Sequence, residues 1–305
     1  MARRSRVTTA SPSAVKLCPA INLTVVEQDH VLKLLENGGW DERIEVIEVG
    51  DFVRSHIVYA QHFTVVYDTL LGPLSGQWLA QRVTQRNPDK PVLVIVSHSD
   101  WDHCWGNQCF DVPIIGLDLC AQRMLGEVGQ AELASKRAEH PSYAAVVLKA
   151  PTFRLSGEAT LDAGDLTFRL LHTPGHRPDH LALYLPEIAT LLPGDAVETP
   201  FALLDECDPV QDLKQMRATL RGFLDLPIDW LLPNHAPPQP GSGLIQANLD
   251  YYERLCDLAA QSDSLEKLQE SFPYSGPSDQ EFYVKDHQRI VAAAWQAQSS
   301  SRAIK

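Results

Sequence analysis

A chain of 305 residues, 44% hydrophobic and 21% charged, has the balance of a folded globular protein and the length for one large domain or two small ones. A formal net charge of −13 excludes the basic face that phosphate backbones require, so no nucleic-acid partner is expected. No apolar run reaches bilayer length, which removes the membrane from the expected partners as well.

Residues 1–18 carry Arg3, Arg4 and Arg6 among Ser, Thr and Ala, with no acidic residue and no apolar core of a secretory signal. A disordered leader is the expectation, and an organelle transit peptide is the other reading this composition allows. The expected location is therefore cytoplasmic, with organelle targeting left open. Six cysteines (Cys18, Cys104, Cys109, Cys120, Cys207, Cys256) form no CxxC pair and read as reduced thiols. Cys104 and Cys109 are close enough to raise a bridge, but nothing requires one.

Residues 44–49, 57–59 and 63–69 have the β-branched enrichment of sheet, and 70–73 turn out of it. A helix follows over 74–86, where Trp78, Leu79 and Val83 recur at helical spacing and Asn87-Pro88 ends the run. Residues 92–96 are apolar throughout, three Val and one Ile among them, as a strand buried on both faces reads. The text then breaks into His98, Asp100, Asp102 and His103. A donor run launched from a buried strand end is where a metal site can be built, because the strand fixes the backbone while the loop lets side chains converge. An ordinary polar loop is the alternative.

A strand over 112–115 is closed by Gly116, and Pro113 argues for an edge position. Helix is expected from 118 and over 131–148, interrupted at Pro141. Strands at 160–162 and 166–171 lead into His172-Thr173-Pro174-Gly175-His176. A strand over 181–185 precedes Thr190-Leu191-Leu192-Pro193-Gly194-Asp195, and a helix over 210–224 leads to Trp230-Leu231-Leu232-Pro233-Asn234-His235. Helices over 245–260 and 279–297 close the chain. Strands alternating with helices make a layered α/β protein. His176, Asp195 and His235 thus share one grammar with the first cluster, an apolar strand followed by a donor just past its end. A lone His in such a place is more often a core or capping residue. Several strand ends lying side by side would bring these donors onto one rim.

The ordered set resembles the metallo-β-lactamase superfamily. Its carriers are Asp68 in Val66-Tyr67-Asp68-Thr69, the loop His98, Asp100, Asp102 and His103, then His176 after Pro174-Gly175, Asp195 after Pro193-Gly194, and His235. The resemblance spans residues 40 to 240 and implies a four-layer αββα sandwich, with a metallo-β-lactamase-like domain over 19–260 and a helical extension over 261–305. It also implies two divalent metal ions: His98, Asp100 and His176 hold the first, Asp102, His103 and His235 the second, and Asp195 bridges them. A water between the ions becomes the attacking hydroxide, and Asp102 also moves a proton. Asp68 is then a buried support rather than a ligand. His172 is read as structural; His180 either lines the pocket or orients a ligand, and Trp101 is either an apolar wall or core.

Two positions depart from the family's usual pattern. Asp100 stands where a His is usual, and Asn234-His235-Ala236 where Gly-His-Gly is common. Three carboxylates and one hydroxide against two dications leave a neutral centre, and a carboxylate in place of imidazole favours Mn²⁺ or Fe²⁺ over Zn²⁺. The implied function is a binuclear metal-dependent hydrolase of an ester, thioester or lactone, with a small molecule as partner and a homodimer allowed. The alternative is a di-iron oxygen- or nitric-oxide-reducing or oxygen-binding protein of the same fold. The aromatics Tyr251, Tyr252, Phe282, Tyr283 and Trp295 read either as a lid over an acyl group or as helix packing.

Overall fold

The structure is a computed structural model that describes residues 26–27, 30–204, 208–277 and 281–303; the leader over 1–18 lies outside the described residues, as do Cys18 and Cys207. One sheet carries eight strands in sequence order: β1 (Val26–Glu27), β2 (His30–Leu34), β3 (Ile44–Val49), β4 (Val53–Tyr59), β5 (Thr64–Tyr67), β6 (Val92–Ile95), β7 (Ile114–Leu117) and β8 (Phe153–Leu155). Its first five strands are antiparallel, and β5 through β8 run parallel. The second sheet holds β9 (Ala159–Asp162), β10 (Thr167–His172), β11 (Leu181–Leu185), β12 (Thr190–Leu192), β13 (Trp230–Leu231) and β14 (Gln239–Pro240), antiparallel except for the parallel β12–β13 pair. The helices are α1 (Pro73–Arg86), α2 (Trp101–Cys104), α3 (Asp118–Leu125), α4 (Glu127–Glu139), α5 (Pro209–Leu224), α6 (Gly243–Gln261), α7 (Leu265–Ser271) and α8 (Glu281–Ala303).

The layering follows from the two-residue period of β11. Leu181, Leu183 and Leu185 point into one core, shared with both sheets and with Leu79, Val83, Met124 and Leu133 of α1, α3 and α4. Ala182 and Tyr184 point the other way, into a second core with Met216, Leu220, Tyr252 and Ile290 of α5, α6 and α8. A sheet buried on both faces needs helices on each outer side, and the result is the four-layer αββα sandwich. Leu268 of α7 and Ile290, Val291 and Ala294 of α8 complete the second core. Among the described residues, no helix is long and apolar enough to cross a membrane.

Three expectations are corrected. The strand at Pro113 is not an edge strand: β7 lies between β6 and β8. Pro113 precedes the strand and contributes only its carbonyl, which accepts from Val94 N–H at 3.0 Å, so its missing donor costs the sheet nothing. Gly116 lies within β7, not past it. The expected helix over 131–148 ends at Glu139, and only a 3₁₀ turn, Pro141–Ala145, follows the proline. Strands β8 and β14 and helix α7 had no distinct pattern in the sequence. Cys104, Cys109, Cys120 and Cys256 are free thiols, so Cys104 and Cys109 are not bridged.

Candidate metal centre

Four strand ends meet on one rim. His98 follows β6, His176 follows β10, Asp195 follows β12 in a 3₁₀ turn (Gly194–Ala196), and His235 follows β13. Asp100 precedes α2, whose single turn carries Asp102 and His103. Leu181 N–H donates to Ser97 O at 2.7 Å, tying the second sheet to the loop of the first. Two glycines make the turns possible. Gly175 has φ 138° and a Cβ there would stand 2.6 Å from Met216 Cα; Gly194 has φ 59° and a Cβ would stand 2.4 Å from His180 Nε2.

The structure brings all seven candidate donors together. Asp195 Oδ2 lies 3.0 Å from His103 Nε2, 3.3 Å from His235 Nε2, 3.6 Å from His176 Nε2 and 3.7 Å from His98 Nε2. On one side of it, Asp100 Oδ2 is 3.4 Å from His98 Nε2 and 3.5 Å from His176 Nε2. On the other, Asp102 Oδ2 is 3.2 Å from His235 Nε2, which is 3.2 Å from His103 Nε2. Donors bound tetrahedrally to a transition metal at about 2.1 Å stand about 3.4 Å from one another. Nε2 of His98, Nε2 of His176 and Oδ1 of Asp195 are buried without a hydrogen-bond partner. Such orphaned atoms cost free energy unless something fills the gap, and the spacing fits divalent ions.

The far side of each imidazole is already committed, which turns Nε2 inward. His98 Nδ1 pairs with Ser97 Oγ at 2.8 Å, His176 Nδ1 with Leu203 O at 3.3 Å and His235 Nδ1 with Phe52 O at 2.8 Å. His103 Nδ1 meets Asp68 Oδ2 at 2.8 Å. Asp68, fully buried at φ 64°, is no part of the donor cluster; it also accepts from Ser97 N–H and Oγ–H, both at 2.7 Å, and from Asn234 Nδ2 at 2.9 Å. Asn234 donates in addition to Arg54 O at 2.8 Å. The bulkier residue in place of glycine thus ties the His235 loop to Asp68.

His180 sits behind the centre: its Nε2 accepts Asp195 N–H at 3.1 Å and its Nδ1 pairs with Thr173 Oγ1 at 2.7 Å. Burial, with His98 and His176 nearby, pushes its pKa well below the usual histidine value, which suits a neutral ring holding the Asp195 turn. His172 is exposed, bonds Pro178 O at 3.0 Å and is outside the cluster. Burial opposes charge throughout the centre, but mutual attraction wins. Asp195 is held well below the carboxylate range by His103 and His235, and Asp102 is lowered by the same two rings. His103 and His235 are raised well above the histidine range by those carboxylates, and His176 is raised by Asp100 and Asp195.

A cavity of about 720 Å³ opens over the donors. Phe52 stacks on Trp101 with centroids 5.8 Å apart, so Trp101 is wall, and Leu203, Leu204 and Phe282 extend the apolar lining. The aromatic residues of the C-terminal helices divide: Phe282 is 61% exposed and faces the cavity, whereas Tyr252 is buried core and Trp295 packs against it. Tyr283 OH donates to Glu198 Oε2 at 3.0 Å. Glu198 and Glu132 had no signal in the sequence; burial and nearby carboxylates push them up to about 7 and about 8. Arg177 is the third residue missed. Its Nε lies 2.8 and 2.9 Å from the two oxygens of Asp100. Burial disfavours ionised Asp100, but Arg177 and His98 hold it well below the usual range. The neutral charge count drawn from sequence therefore omits one guanidinium.

The profile of the metallo-beta-lactamase superfamily matches residues 49–235. A putative transcription factor, avaE of Aspergillus versicolor, is 29% identical over 122 residues, 36% of this chain; the match spans about a third of that relative, 34% of its length. Among solved structures, a metallo-beta-lactamase from Pontibacter korlensis is 19% identical with a TM-score of 0.54, covering 73% of this chain and 99% of its own. The inverting sec-alkylsulfatase Pisa1 from Pseudomonas sp. is 18% identical with a TM-score of 0.63, over 87% of this chain and 50% of its own. A metallo-beta-lactamase family protein from Thermus thermophilus is 17% identical with a TM-score of 0.60, over 88% and 94%. At these identities the structures speak for the fold alone, while the profile covers more than half the sequence. The chain belongs to the metallo-beta-lactamase superfamily.

Proposed function

We propose that the chain is a metal-dependent hydrolase that binds two divalent ions and cleaves an ester, thioester or lactone. The observation that carries this reading is Asp195 Oδ2, within 3.7 Å of Nε2 on four separate histidines. His98, Asp100 and His176 would hold one ion, Asp102, His103 and His235 the other, with Asp195 between them. When bound, the ions supply an acidified water as nucleophile and polarise the carbonyl. Asp102, beside both the centre and the cavity, is placed to take and return the proton as the tetrahedral species collapses.

The cavity wall supports a neutral, partly apolar substrate. Its cations are engaged: Arg177 on Asp100, Lys136 on Glu139 at 2.8 Å and over the Trp101 ring at 4.6 Å, Arg289 on Asp286 at 2.7 Å. Asp51, Glu132, Glu198 and Glu281 add acidic groups to the same wall. An alkyl sulfate, the substrate type in the name of the Pseudomonas relative, would meet in this wall only cations already engaged by carboxylates, leaving the ions alone to offset its charge.

The test is metal analysis of protein purified without chelator, then kinetics after reconstitution with Zn²⁺, Mn²⁺ or Fe²⁺. About two ions per chain and turnover of neutral acyl esters at least tenfold above matched anionic ones are expected. Trace metal in active protein would overturn the reading. Oxygen consumption without ester turnover by the iron form would favour the di-iron alternative, which the Asp100 carboxylate keeps in view.

A further inference from the structure

We propose that Asp100 and Arg177 work as one unit that takes the place of a neutral imidazole ligand: the carboxylate supplies the donor oxygen, and the guanidinium supplies the charge that balances it. This deepens the metal reading above and rests on it. Asp100 Oδ2 faces inward, 3.4 Å from His98 Nε2 and 3.5 Å from His176 Nε2. Arg177 Nε reaches both oxygens, at 2.8 and 2.9 Å, so the guanidinium and the centre share the same carboxylate. The side chains of Asp100 and Arg177 are 15% and 23% exposed, so water screens the pair only in part.

Backbone placement makes the pairing specific. Arg177 follows His176, so the loop after β10 delivers one donor and the counter-charge for another. Cys104 Sγ–H donates to Asp100 O at 3.2 Å, which fixes the carboxylate's own backbone. A guanidinium keeps its proton at every accessible pH, so the balancing charge is permanent. Carboxylate plus guanidinium sum to zero, as neutral imidazole does. Arg177 is thus a charge-balancing residue that acts through Asp100, not a ligand.

The prediction concerns coupling, measured as metal affinity of the whole chain by chelator competition and elemental analysis. Asp100→His alone puts a neutral ligand beside a guanidinium that has lost the Asp100 carboxylate, and first-site affinity should fall at least about tenfold. Asp100→His with Arg177→Gln should return to the unmodified chain's level, a gain of about tenfold in the Asp100→His background against the about threefold that Arg177→Gln brings alone. Asp100→His with Arg177→Lys keeps the cation and should stay low. Arg177→Gln alone leaves every ligand in place and removes a cation from beside a dication, so first-site affinity should rise at least about threefold. Melting of the metal-free variants checks that each one folds. Additive effects at the two positions, or weaker binding in Arg177→Gln, would overturn the pair while leaving the metal reading intact. An unmodified chain that binds no ion would overturn both.

Discussion

The donors are not all backed alike. His103 is backed by a fully buried net in which Asp68 accepts from Ser97 and Asn234, bridging β5, β6 and the loop after β13, and Ser97 of the same net backs His98. Asp100 and His176 stand on the cavity side, backed by a part-exposed guanidinium and by a single 3.3 Å bond to Leu203 O. Each set thus has a core-backed histidine, His98 or His103, while Asp100, His176 and His235 are held by rim loops. Buried networks rigidify and are costly to break, whereas rim contacts tolerate change and tune chemistry.

Asp195 is the one residue the halves share, so removing it should have the largest effect. Asp195→Ala should lower metal content from about two ions toward none, and hydrolysis by about a thousandfold or more. His176→Ala and His235→Ala, by contrast, should each empty one half preferentially. Elemental analysis of the three variants checks this; loss of only one ion in Asp195→Ala would mean the halves are not joined through it.

Asp68→Ala breaks the core side of the comparison. The Ser97 N–H and one N–H of the Asn234 amide would be left buried without an acceptor, at about 1–3 kcal/mol each, and His103 would lose its orienting partner. A large fall in melting temperature, with the His103–His235 side losing its ion first, is the expected result. Arg177→Gln should leave the melting temperature nearly unchanged, because its pair is part-exposed. Denaturation curves of the two metal-free variants, side by side, would break the comparison if they shifted equally.

The same contrast bears on what the sequence could disclose. Donors on strand ends were legible because a buried strand that breaks into His and Asp is a local signal, as at 92–103 and 190–195. The two sheets were legible for the same reason: apolar periods such as Leu181 to Leu185 fix which faces are buried. Partners supplied from elsewhere in the chain were not. Arg177 looks like any surface arginine until the loops after β6 and β10 meet, and Glu198 has no distinctive neighbours. The short strands β8 and β14 exist only because a neighbouring strand offers hydrogen bonds. Pro113 misled because the rule against interior proline concerns its N–H, and here only its carbonyl is used.

Charge in the metal-free centre gives a smaller, pH-dependent effect. His103 and His235 are raised by Asp195 and Asp102 despite burial. A raised histidine contributes stability below its unfolded pKa of about 6.5 and loses it as pH rises through the folded value. The metal-free protein should therefore melt at a lower temperature at about pH 9 than at about pH 6. Bound ions displace those protons, so the stabilisation they confer should widen over the same interval. Melting curves with and without metal check both trends, and a margin that narrows with pH would show that these imidazoles carry no displaceable proton.

The smallest expected effect is at His172, four residues before His176 in the same turn. Both side chains leave the end of β10, but the pleat and the Pro174-Gly175 turn send them apart. His176 is buried with Nε2 facing the centre, while His172 is exposed and donates from Nε2 to Pro178 O at 3.0 Å. An exposed hydrogen bond of this kind contributes about 0.5 kcal/mol. His172→Ala should accordingly leave metal content, metal ranking and turnover within about twofold of the unmodified chain. Elemental analysis of His172→Ala beside His176→Ala is the check. Loss of an ion from the His172 variant, with the His176 variant still loaded, would mean that the turn after β10 presents the other ring to the centre and that the cavity-side half is wrongly assembled.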